Sequence, residues 1–430
     1  MKIKPFVLYG SIKIKSISPM HMGGEEKDEL VRNGNGNYIM PASSIAGAIK
    51  HVIKHPLFGK ENGNNKNDDT NSYVYFYDAE LPKGAEVEKR VGIRRDARLG
   101  TAEQGGLYST FYITEGVDVE IKMQMFLDDE QTGLELFKEI AECIQNKTIT
   151  FGAKKSHGSG MFDVQKAACK ILDLHQQEDF LLYCQGVKTV MNYLEPITVE
   201  ARQNDYGTVY QLEAKINGSL LVKSNETPEQ TDDEYVPDVQ NMYKMVNGQK
   251  QYYIPGSTIK GLMRAYANVI CKHQHIDETV VDEIFGGEVN DVKKASSVFF
   301  SDVDISNVKK VIYHRVPIDR WLGGTIEGQK LDIEAISSHD TVTITIRIKK
   351  DIDERLTHFA NAFAYLTLRD LGNGRLSIGS YDSIGFGRFE GRNLYIDQTK
   401  CPFVKQNLEC GSLSSQIMEH LKVLGGDAHA

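Results

Sequence analysis

Apolar and polar residues alternate at the start of each half of the chain. The stretches "GSIKIKSIS" (10–18) and "QLEAKINGSL" (211–220) have the two-residue period of a β-strand. After each of them, apolar residues recur at helical spacing, namely Ile45, Ile49, Val52 and Ile53 in the first half and Ile259, Leu262, Met263 and Tyr266 in the second. Each half is therefore predicted to open with a strand followed by an amphipathic helix.

Each half then continues with the same further elements. The strand patterns of the first half, "YVYFYDA" and "VDVEIKMQMFL", correspond to "SVFFSDV" and "DTVTITIRIKK" in the second half. The helical pattern "GLELFKEIAECI" corresponds to "RLTHFANAFAYLTLRDL". A glycine-rich loop and one more strand close each half. The order strand, helix, strands, helix, strand is that of a ferredoxin-like domain. The predicted fold class is therefore α+β, with two tandem ferredoxin-like (βαββαβ) domains and inserted loops.

The two halves also share sequence motifs. Five segments recur in the same order at offsets between 214 and 227 residues: "PASSIAG" with "PGSTIKG", "PLFGK" with "EIFGG", "SYVYFYDAEL" with "SSVFFSDVDI", "RVGIRRDARLG" with "RVPIDRWLGG", and "FGAKKSHGSGMF" with "IGSYDSIGFGRF". The third match aligns Asp78 with Asp302. Such a period indicates two fused domains. The predicted domains are 1–173 and 208–399, with a connector over 174–207 and a C-terminal extension over 400–430.

The composition excludes several classes of protein. With 40% hydrophobic and 25% charged residues the chain has a globular composition, and no stretch approaches the roughly 20 apolar residues that cross a bilayer. The N-terminus lacks the apolar core of a signal peptide. The six cysteines are scattered without CxxC spacing, which argues against a disulfide framework and a zinc site. We expect a cytoplasmic protein with no membrane partner.

Charge is segregated along the chain. The net charge is −9, yet 89–98 and 309–320 are basic, whereas 224–238 is acidic without a basic residue. Such segregation permits a basic groove on an acidic body, and a groove is what polyanion binding requires. The alternative interpretation is that these charges only solvate the surface.

Two of the repeated features suit a phosphate backbone. A helix N-terminus offers unpaired N–H groups and partial positive charge, and the hydroxyls of Ser43/Ser44 and Ser257/Thr258 are expected at the N-caps. The glycine-rich loops likewise leave backbone N–H groups free. The Walker A pattern is absent, which argues against a nucleoside triphosphate. A tight turn with an ordinary helix cap remains the simpler alternative for each loop.

These motifs resemble those of the RAMP superfamily of CRISPR-associated proteins, and more closely the backbone subunits of type III effector complexes. The similarity rests on "IPGSTIKG", "HRVPIDRWLGG" and "GSYDSIGFGR", and on "SPMHMGG" (18–24), which is similar to the segment preceding the first motif in that family. The first half departs from the pattern, with "PASSIAG" and "IRRDARLG" in place of the family's motifs. A fused pair also departs from the usual single-domain subunit.

The resemblance implies an RRM-like core that binds CRISPR RNA along a groove, pairs it with target RNA and stacks with other subunits of the effector complex. It also implies a thumb-like hairpin in each half, near "TAEQGGLYSTFYITEG" and "TIEGQKLDIEAI". The candidate RNA-binding residues are His21, Ser43, Ser44, Lys50, Lys154, Lys155, His157, Ser257, Thr258, Lys260, Arg264, Arg315, Arg320, Trp321 and Arg388.

Target-RNA cleavage in this family depends on an aspartate in the loop before the first motif, together with a divalent metal. The matching candidates are Asp28, which is also the candidate ligand of Mg²⁺ or another divalent cation, and Asp238 in the longer acidic loop of the second half. Two alternatives stay open. One is a non-catalytic RNA-binding scaffold, and the other is a CRISPR RNA-processing endonuclease that uses His157 without metal.

Overall fold

The structure is a computed structural model that describes residues 4–24, 29–59, 71–95, 102–199, 207–224, 235–246, 249–350, 352–405 and 407–425. These residues form two compact units. The first is drawn from 1–90, 109–155 and 159–206, and the second from 91–108, 156–158 and 207–430.

The first half of the chain contains strands and helices in the predicted order. Its strands are β1 (Phe6–Ser16), β2 (Ile39–Met40), β3 (Val74–Phe76), β4 (Ala79–Glu80), β5 (Val87–Arg95), β6 (Ala102–Ile113), β7 (Asp118–Leu127), β8 (Phe162–Asp173) and β9 (Glu195–Ile197). Its helices are α1 (Ala42–Val52), α2 (Glu130–Gln145), α3 (Gln177–Cys184) and α4 (Val187–Val190).

The first unit is built on an antiparallel sheet of order β3-β7-β1-β8-β9. With α1 following β1 and α2 following β7, the four main strands have the 2-3-1-4 order of a ferredoxin-like domain. Residues of the sheet and of both helices, among them Ile12, Ile49 and Phe137, share one core. The ferredoxin-like prediction is confirmed for this half.

Helix α2 lies unusually close to strand β1 at Gly10. A β-carbon on Gly10 would lie 2.4 Å from Phe137 Cε2, so only glycine leaves room for the ring at this point of the strand. The opposite face of the sheet carries a smaller cluster, in which Tyr9 and Leu172 are buried together with Val190 of α4. The segment after β8 therefore covers the sheet face that α1 and α2 leave open.

The second half repeats this plan with additions. Its strands are β10 (Gly207–Asn217), β11 (Tyr243–Val246), β12 (Gln249–Ile254), β13 (Gly287–Val289), β14 (Val292–Lys294), β15 (Val298–Phe300), β16 (Val303–Asp304), β17 (Lys309–Arg315), β18 (Leu331–Ser337), β19 (Thr341–Lys349), β20 (Arg388–Ile396), β21 (Thr399–Val404) and β22 (Asn407–Leu408). Its helices are α5 (Gly256–His273), α6 (Thr279–Phe285), α7 (Glu354–Gly372) and α8 (Ser414–Lys422).

The second sheet has the order β15-β19-β10-β20-β21-β22, whose first four strands match the first sheet. The opening strands even share an irregularity, because the pairing with the closing strand shifts between Lys13 and Ile14 in β1 and between Glu213 and Ala214 in β10. A shared bulge at equivalent positions supports the duplication. Strands β21 and β22 extend the second sheet beyond the ferredoxin-like core.

Each half also contains a two-stranded hairpin outside its main sheet. Strands β5 and β6 form the first, and β17 and β18 form the second, in register from Lys309 opposite Ser337 to Arg315 opposite Leu331. The "IDR" motif lies in the connection at the end of the second hairpin. In the described part of the chain, no helix is both long and apolar enough to cross a membrane.

Candidate nucleic-acid interface

The helices α1 and α5 begin two to three residues earlier than the predicted hydroxyl caps imply. Their N-cap residues are Pro41 and Pro255, and neither N-cap side chain makes a capping hydrogen bond. The prediction that Ser43/Ser44 and Ser257/Thr258 are N-caps is therefore wrong, since these residues lie in the first helical turn. The fixed φ and missing N–H of proline suit the position before a helix.

Aspartates from the following strand region take over the capping. The amide of Ala42 donates to Asp78 Oδ1 at 2.7 Å, and the amide of Gly256 donates to Asp302 Oδ1 at 2.8 Å. A carboxylate at this point also offsets the positive end of the helix dipole. The first amide of each helix is thus bonded within the protein and is not open to a phosphate.

The exposed side of each helix carries the same row of residues, two small ones followed by a basic one. Ser43 and Gly47 are exposed on α1, and Ser257 and Gly261 are exposed on α5. The next positions on the same face are Lys50 and Arg264, which are half-buried. We call these two sets the Ser-Gly-basic stripes: Ser43, Gly47 and Lys50 in the first unit, and Ser257, Gly261 and Arg264 in the second.

The described residues give no structural reason for the glycines of the stripes. Among them, a β-carbon on Gly47 or Gly261 would meet no atom within 4 Å. Glycine within a helix costs roughly 0.5–1 kcal/mol relative to alanine. The same unfavourable residue at the same place in both copies marks these two positions as candidates for close approach by a ligand.

The glycine-rich loops, by contrast, require glycine for their own shape. Gly160 and Gly387 have φ of +78° and +71°, and a β-carbon on either would lie within 2.0 Å of a carbonyl oxygen. Their carbonyls accept from Phe151 N and Ile378 N at 2.9 Å, which closes both loops in the same way. These glycines are explained by the turn and give no separate indication of a ligand.

The tip of the second hairpin presents apolar side chains to solvent. Trp321 is 96% exposed and Leu322 is 88% exposed. The turn itself is ordered by Asp319, whose Oδ1 accepts from Trp321 N at 2.7 Å and from Leu322 N at 2.8 Å. These two hydrogen bonds lower the pKa of the Asp319 carboxyl. A well-formed turn that holds an indole in solvent is suited to stack on a base or to wedge between bases.

The loop end of the same hairpin packs against the second glycine-rich loop. The Arg315 guanidinium lies 5.3 Å from the centre of the Tyr381 ring and 5.8 Å from that of Phe386. Tyr313 packs on Phe386 at 5.0 Å between ring centres. Three of the predicted features, namely the hairpin, Arg315 and the glycine-rich loop, therefore meet in the second unit.

Asp238 also lies at this loop end of the hairpin. It is exposed, and its Oδ2 accepts a hydrogen bond from the amide of Asp332 at 2.7 Å. Asp332 is 5% exposed and bonds to the Tyr235 hydroxyl, to His314 Nδ1 at 2.7 Å and to Lys330 Nζ at 3.1 Å. The bonds from Tyr235 and His314 lower the pKa of the Asp332 carboxyl to about 2. Sequence reasoning did not single out Asp332 because an aspartate in an alternating strand carries no motif.

The other predicted residues have more varied surroundings. Arg264 pairs with Asp282 and donates to Gly286 O at 3.0 Å. Lys260 Nζ donates to Ser156 Oγ at 2.9 Å. His21 is 5% exposed, with Nδ1 2.7 Å from Phe111 O, so its ring is a buried part of the fold. Arg320, Arg388 and Lys154 are exposed, whereas Lys155 and His157 are half-buried. Asp28 lies outside the described residues.

The described residues offer little for a metal by themselves. No group of three or more His, Cys, Asp or Glu side chains in the described ranges is arranged to hold an ion. Asp238 offers one exposed carboxylate, of which one oxygen is already engaged. That donor set fits Mg²⁺ only in the mode in which phosphates and water supply most of the ligands.

Two ferredoxin-like sheets, with matching glycine-rich loops, capped helices and hairpins in the two halves of the chain, define a duplicated α+β class of protein. A sequence model of the RAMP superfamily matches residues 13–163 and 239–390, which is more than half of the chain and falls on both copies. The chain therefore belongs to the RAMP superfamily and consists of two fused RAMP domains. Proteins of this superfamily are in general associated with CRISPR complexes and with RNA binding. No curated protein sequence matches the chain.

Proposed function

We propose that the chain is a CRISPR RNA-binding backbone subunit of a type III interference complex. One observation carries the proposal, namely the open, exposed helical glycine that recurs in both Ser-Gly-basic stripes. A phosphate backbone can approach a glycine more closely than any other residue. In each stripe the glycine lies between a serine hydroxyl and a basic side chain, both of which can bind a phosphate. The proposed limits of the binding domains remain 1–173 and 208–399.

The two stripes would bind phosphates, and base pairing between guide and target would supply the sequence specificity. Ser43 and Ser257 would donate to phosphate oxygens, and Lys50 would supply charge. Arg264 already pairs with Asp282, so its contribution would require an exchange of that partner for a phosphate. The first stripe is accordingly expected to contribute more to the salt dependence of binding than the second.

The substitutions Gly47→Ala and Gly261→Ala test this proposal. Each should raise the stability of the protein while weakening CRISPR RNA binding, because the methyl group improves helix propensity but blocks close approach. Binding would be measured by filter retention or anisotropy at several salt concentrations, alongside thermal unfolding. Gly105→Ala is no suitable control because that residue has φ of +72°. Ala46→Gly on α1 is suitable, since it changes helix propensity in the opposite direction without adding bulk.

The outcomes show whether or not these glycines are sites of close RNA contact. Weaker RNA binding in a more stable variant supports the proposal. Unchanged RNA affinity in both glycine variants would contradict it and would leave the stripes without a role in RNA contact.

The hairpin supports the same assignment. Trp321 and Leu322 project from an ordered turn, as expected of a wedge that interrupts a guide–target duplex at intervals. Arg320 in the same turn is exposed and could pair with a neighbouring phosphate. The target RNA and the neighbouring subunits of the complex are the partners that this arrangement would serve.

Metal-dependent cleavage of target RNA is the further part of the proposal. Asp28 in the first copy and Asp238 in the second would help to hold a divalent cation beside the scissile phosphate. The cation would stabilise charge on the phosphate during in-line attack by the 2′-hydroxyl. Asp238 would also orient that hydroxyl through its free oxygen, since Oδ2 is bound to the amide of Asp332.

The hydrogen bond of Asp238 also favours a second candidate, the non-catalytic scaffold. A carboxylate that fixes the loop end of the hairpin needs no catalytic role to explain its presence. Cleavage of guide-paired target RNA by the wild type, Asp28→Asn and Asp238→Asn, each with Mg²⁺ or EDTA, separates the candidates. Loss of a distinct metal-dependent cut in one variant assigns that cut to its copy. Tight guide binding without any cut in the wild type identifies a scaffold.

A further inference from the structure

Two cysteines oppose each other across the hairpin that β21 and β22 form near the C-terminal end of the second unit. In this hairpin Val404 is opposite Asn407 and Phe403 is opposite Leu408. The amide of Glu409 then donates to Pro402 O at 3.0 Å, which carries the pairing one residue further. In the same register the next opposing residues are Cys401 and Cys410.

The Cys401–Cys410 pair occupies a position in the ladder that suits a disulfide. Opposing residues in an antiparallel ladder alternate between hydrogen-bonded and non-hydrogen-bonded pairs. Because Glu409 and Pro402 are joined by a hydrogen bond, the adjacent cysteine pair is of the non-hydrogen-bonded type. Opposing Cα atoms in such pairs lie about 4.5 Å apart, within the range of about 4.4–6.8 Å found for disulfides. Both cysteines are free thiols in this structure.

The surroundings of the two thiols differ in a way that assigns them different roles. Cys401 is 0% exposed, and burial together with a hydrogen bond to Cys410 raises the pKa of its thiol to about 12. Cys410 is only half-buried, and its sulfur lies 4.0 Å from the hydroxyl of Tyr365. A small oxidant would therefore reach Cys410 first, and Cys401 would be the partner that resolves the oxidised sulfur.

We propose that Cys401 and Cys410 form a reversible disulfide, so that this hairpin is an oxidation site responsive to peroxide. The thiolate of Cys410 attacks one peroxide oxygen, the O–O bond breaks, and sulfenic acid and hydroxide result. The released hydroxide takes the proton of the Cys401 thiol, whose sulfur then attacks the Cys410 sulfur, the S–S bond forms and the S–O bond breaks to release the second hydroxide. Both hydroxides take up the thiol protons, so two thiols and one hydrogen peroxide give one disulfide and two waters.

The position of the pair gives the disulfide a consequence for the chain end. Cys410 immediately precedes the short helical turn Gly411–Leu413 and helix α8. Helix α8 lies on α7, where His420 Nδ1 is 2.9 Å from His358 Nδ1. The disulfide would join the segment just before the N-terminus of α8 covalently to β21. A reducing dithiol restores both thiols, as expected of a regulatory disulfide in a reducing compartment.

The test uses the full-length reduced chain, treated with hydrogen peroxide and quenched with N-ethylmaleimide in denaturant. Peptide mass spectrometry then follows Cys401, Cys410 and the exposed Cys184. We expect an intramolecular 401–410 link in the wild type and in Cys184→Ser, and its reversal by dithiothreitol. In Cys401→Ser the link is absent, and Cys410 should advance to sulfinic acid faster than in the wild type.

The wild type alone keeps the proposal falsifiable if a cysteine variant folds poorly. Peroxide that consumes the Cys184 thiol while both Cys401 and Cys410 still react with N-ethylmaleimide would overturn the proposal. A Cys410 that advances to sulfinic acid in the wild type without any 401–410 link would overturn it as well.

Discussion

The carboxylate of Asp238 accepts a hydrogen bond from the backbone amide of Asp332 at 2.7 Å, so a candidate catalytic residue also fixes the loop end of a hairpin. Asp238→Ala should lower the free energy of unfolding by roughly 1–3 kcal/mol, because it leaves the amide without its charged acceptor. Asp238→Asn keeps an acceptor oxygen and should cost less. Urea unfolding of the three proteins checks this order, and equal costs for Ala and Asn would contradict it.

The aspartates that cap α1 and α5 should matter for stability in both copies. Asp302→Ala and Asp78→Ala should each cost about 1 kcal/mol, because each removes a helix cap and a charge at the positive end of the dipole. The Asn variants should retain most of the cap. Thermal unfolding of all four variants measures this, and Ala variants as stable as the Asn variants would show that the caps are dispensable.

The Asp332 cluster predicts a specific dependence of stability on pH. The pKa of Asp332 falls from its ordinary value of 3.8 to about 2, so its ionised form stabilises the fold at pH values above the ordinary value. This contribution should be lost as pH falls from about 4 towards 2. The difference in unfolding free energy between wild type and Asp332→Asn should shrink over that window.

Tyr235→Phe provides the matched variant, because it removes the hydroxyl that lowers the Asp332 pKa most. The acid transition attributed to Asp332 should move to higher pH in this variant. An unchanged transition would show that Tyr235 does not bind Asp332 in solution.

Glycine-to-alanine substitutions should have opposite effects at two kinds of site. Gly10→Ala places a methyl group against Phe137 and should destabilise the first unit by about 1–3 kcal/mol. Gly47→Ala in the open stripe should stabilise it by about 0.4–1 kcal/mol. Chemical denaturation compares the two, and a stabilising Gly10→Ala would refute the close packing of α2 on β1.

Trp321→Ala should separate RNA recognition from stability. Because the side chain is 96% exposed, its removal should change the unfolding free energy by less than about 0.5 kcal/mol. Binding to guide paired with target should weaken, since base stacking is worth roughly 1–3 kcal/mol. Leu322→Ala, at the adjacent exposed position, serves as a control without aromatic stacking. Equal affinity of wild type and Trp321→Ala would remove the indole from the interface.

Periodicity predicted the ferredoxin-like order correctly because the buried faces of β7 and β19 and of α2 and α7 recur at regular spacing. The caps were assigned wrongly for a physical reason. Ser43 and Ser257 have the preferred chemistry, but the actual acceptors, Asp78 and Asp302, come from elsewhere in the chain. Local propensity contains no information about a partner that only the folded sheet brings close.

The candidate site was predictable where both copies carry the same residue. Gly47 and Gly261 are 214 residues apart, the offset of the first matched motif, so the stripes were within reach of the sequence alone. Asp332 was not, because its importance depends on Tyr235, His314 and Asp238 converging on one carboxylate and one amide. No spacing rule connects these positions.

The distant caps have a further consequence for how each domain assembles. A helix capped by its own serine can begin to form before the rest of the chain is in place, whereas α1 and α5 await aspartates that lie 36 and 46 residues beyond their first amides. Neither helix start can be completed until that later segment has docked. Folding of each domain should thus be strongly cooperative, and loosening of the capping segment should fray the helix start that bears the Ser-Gly-basic stripe.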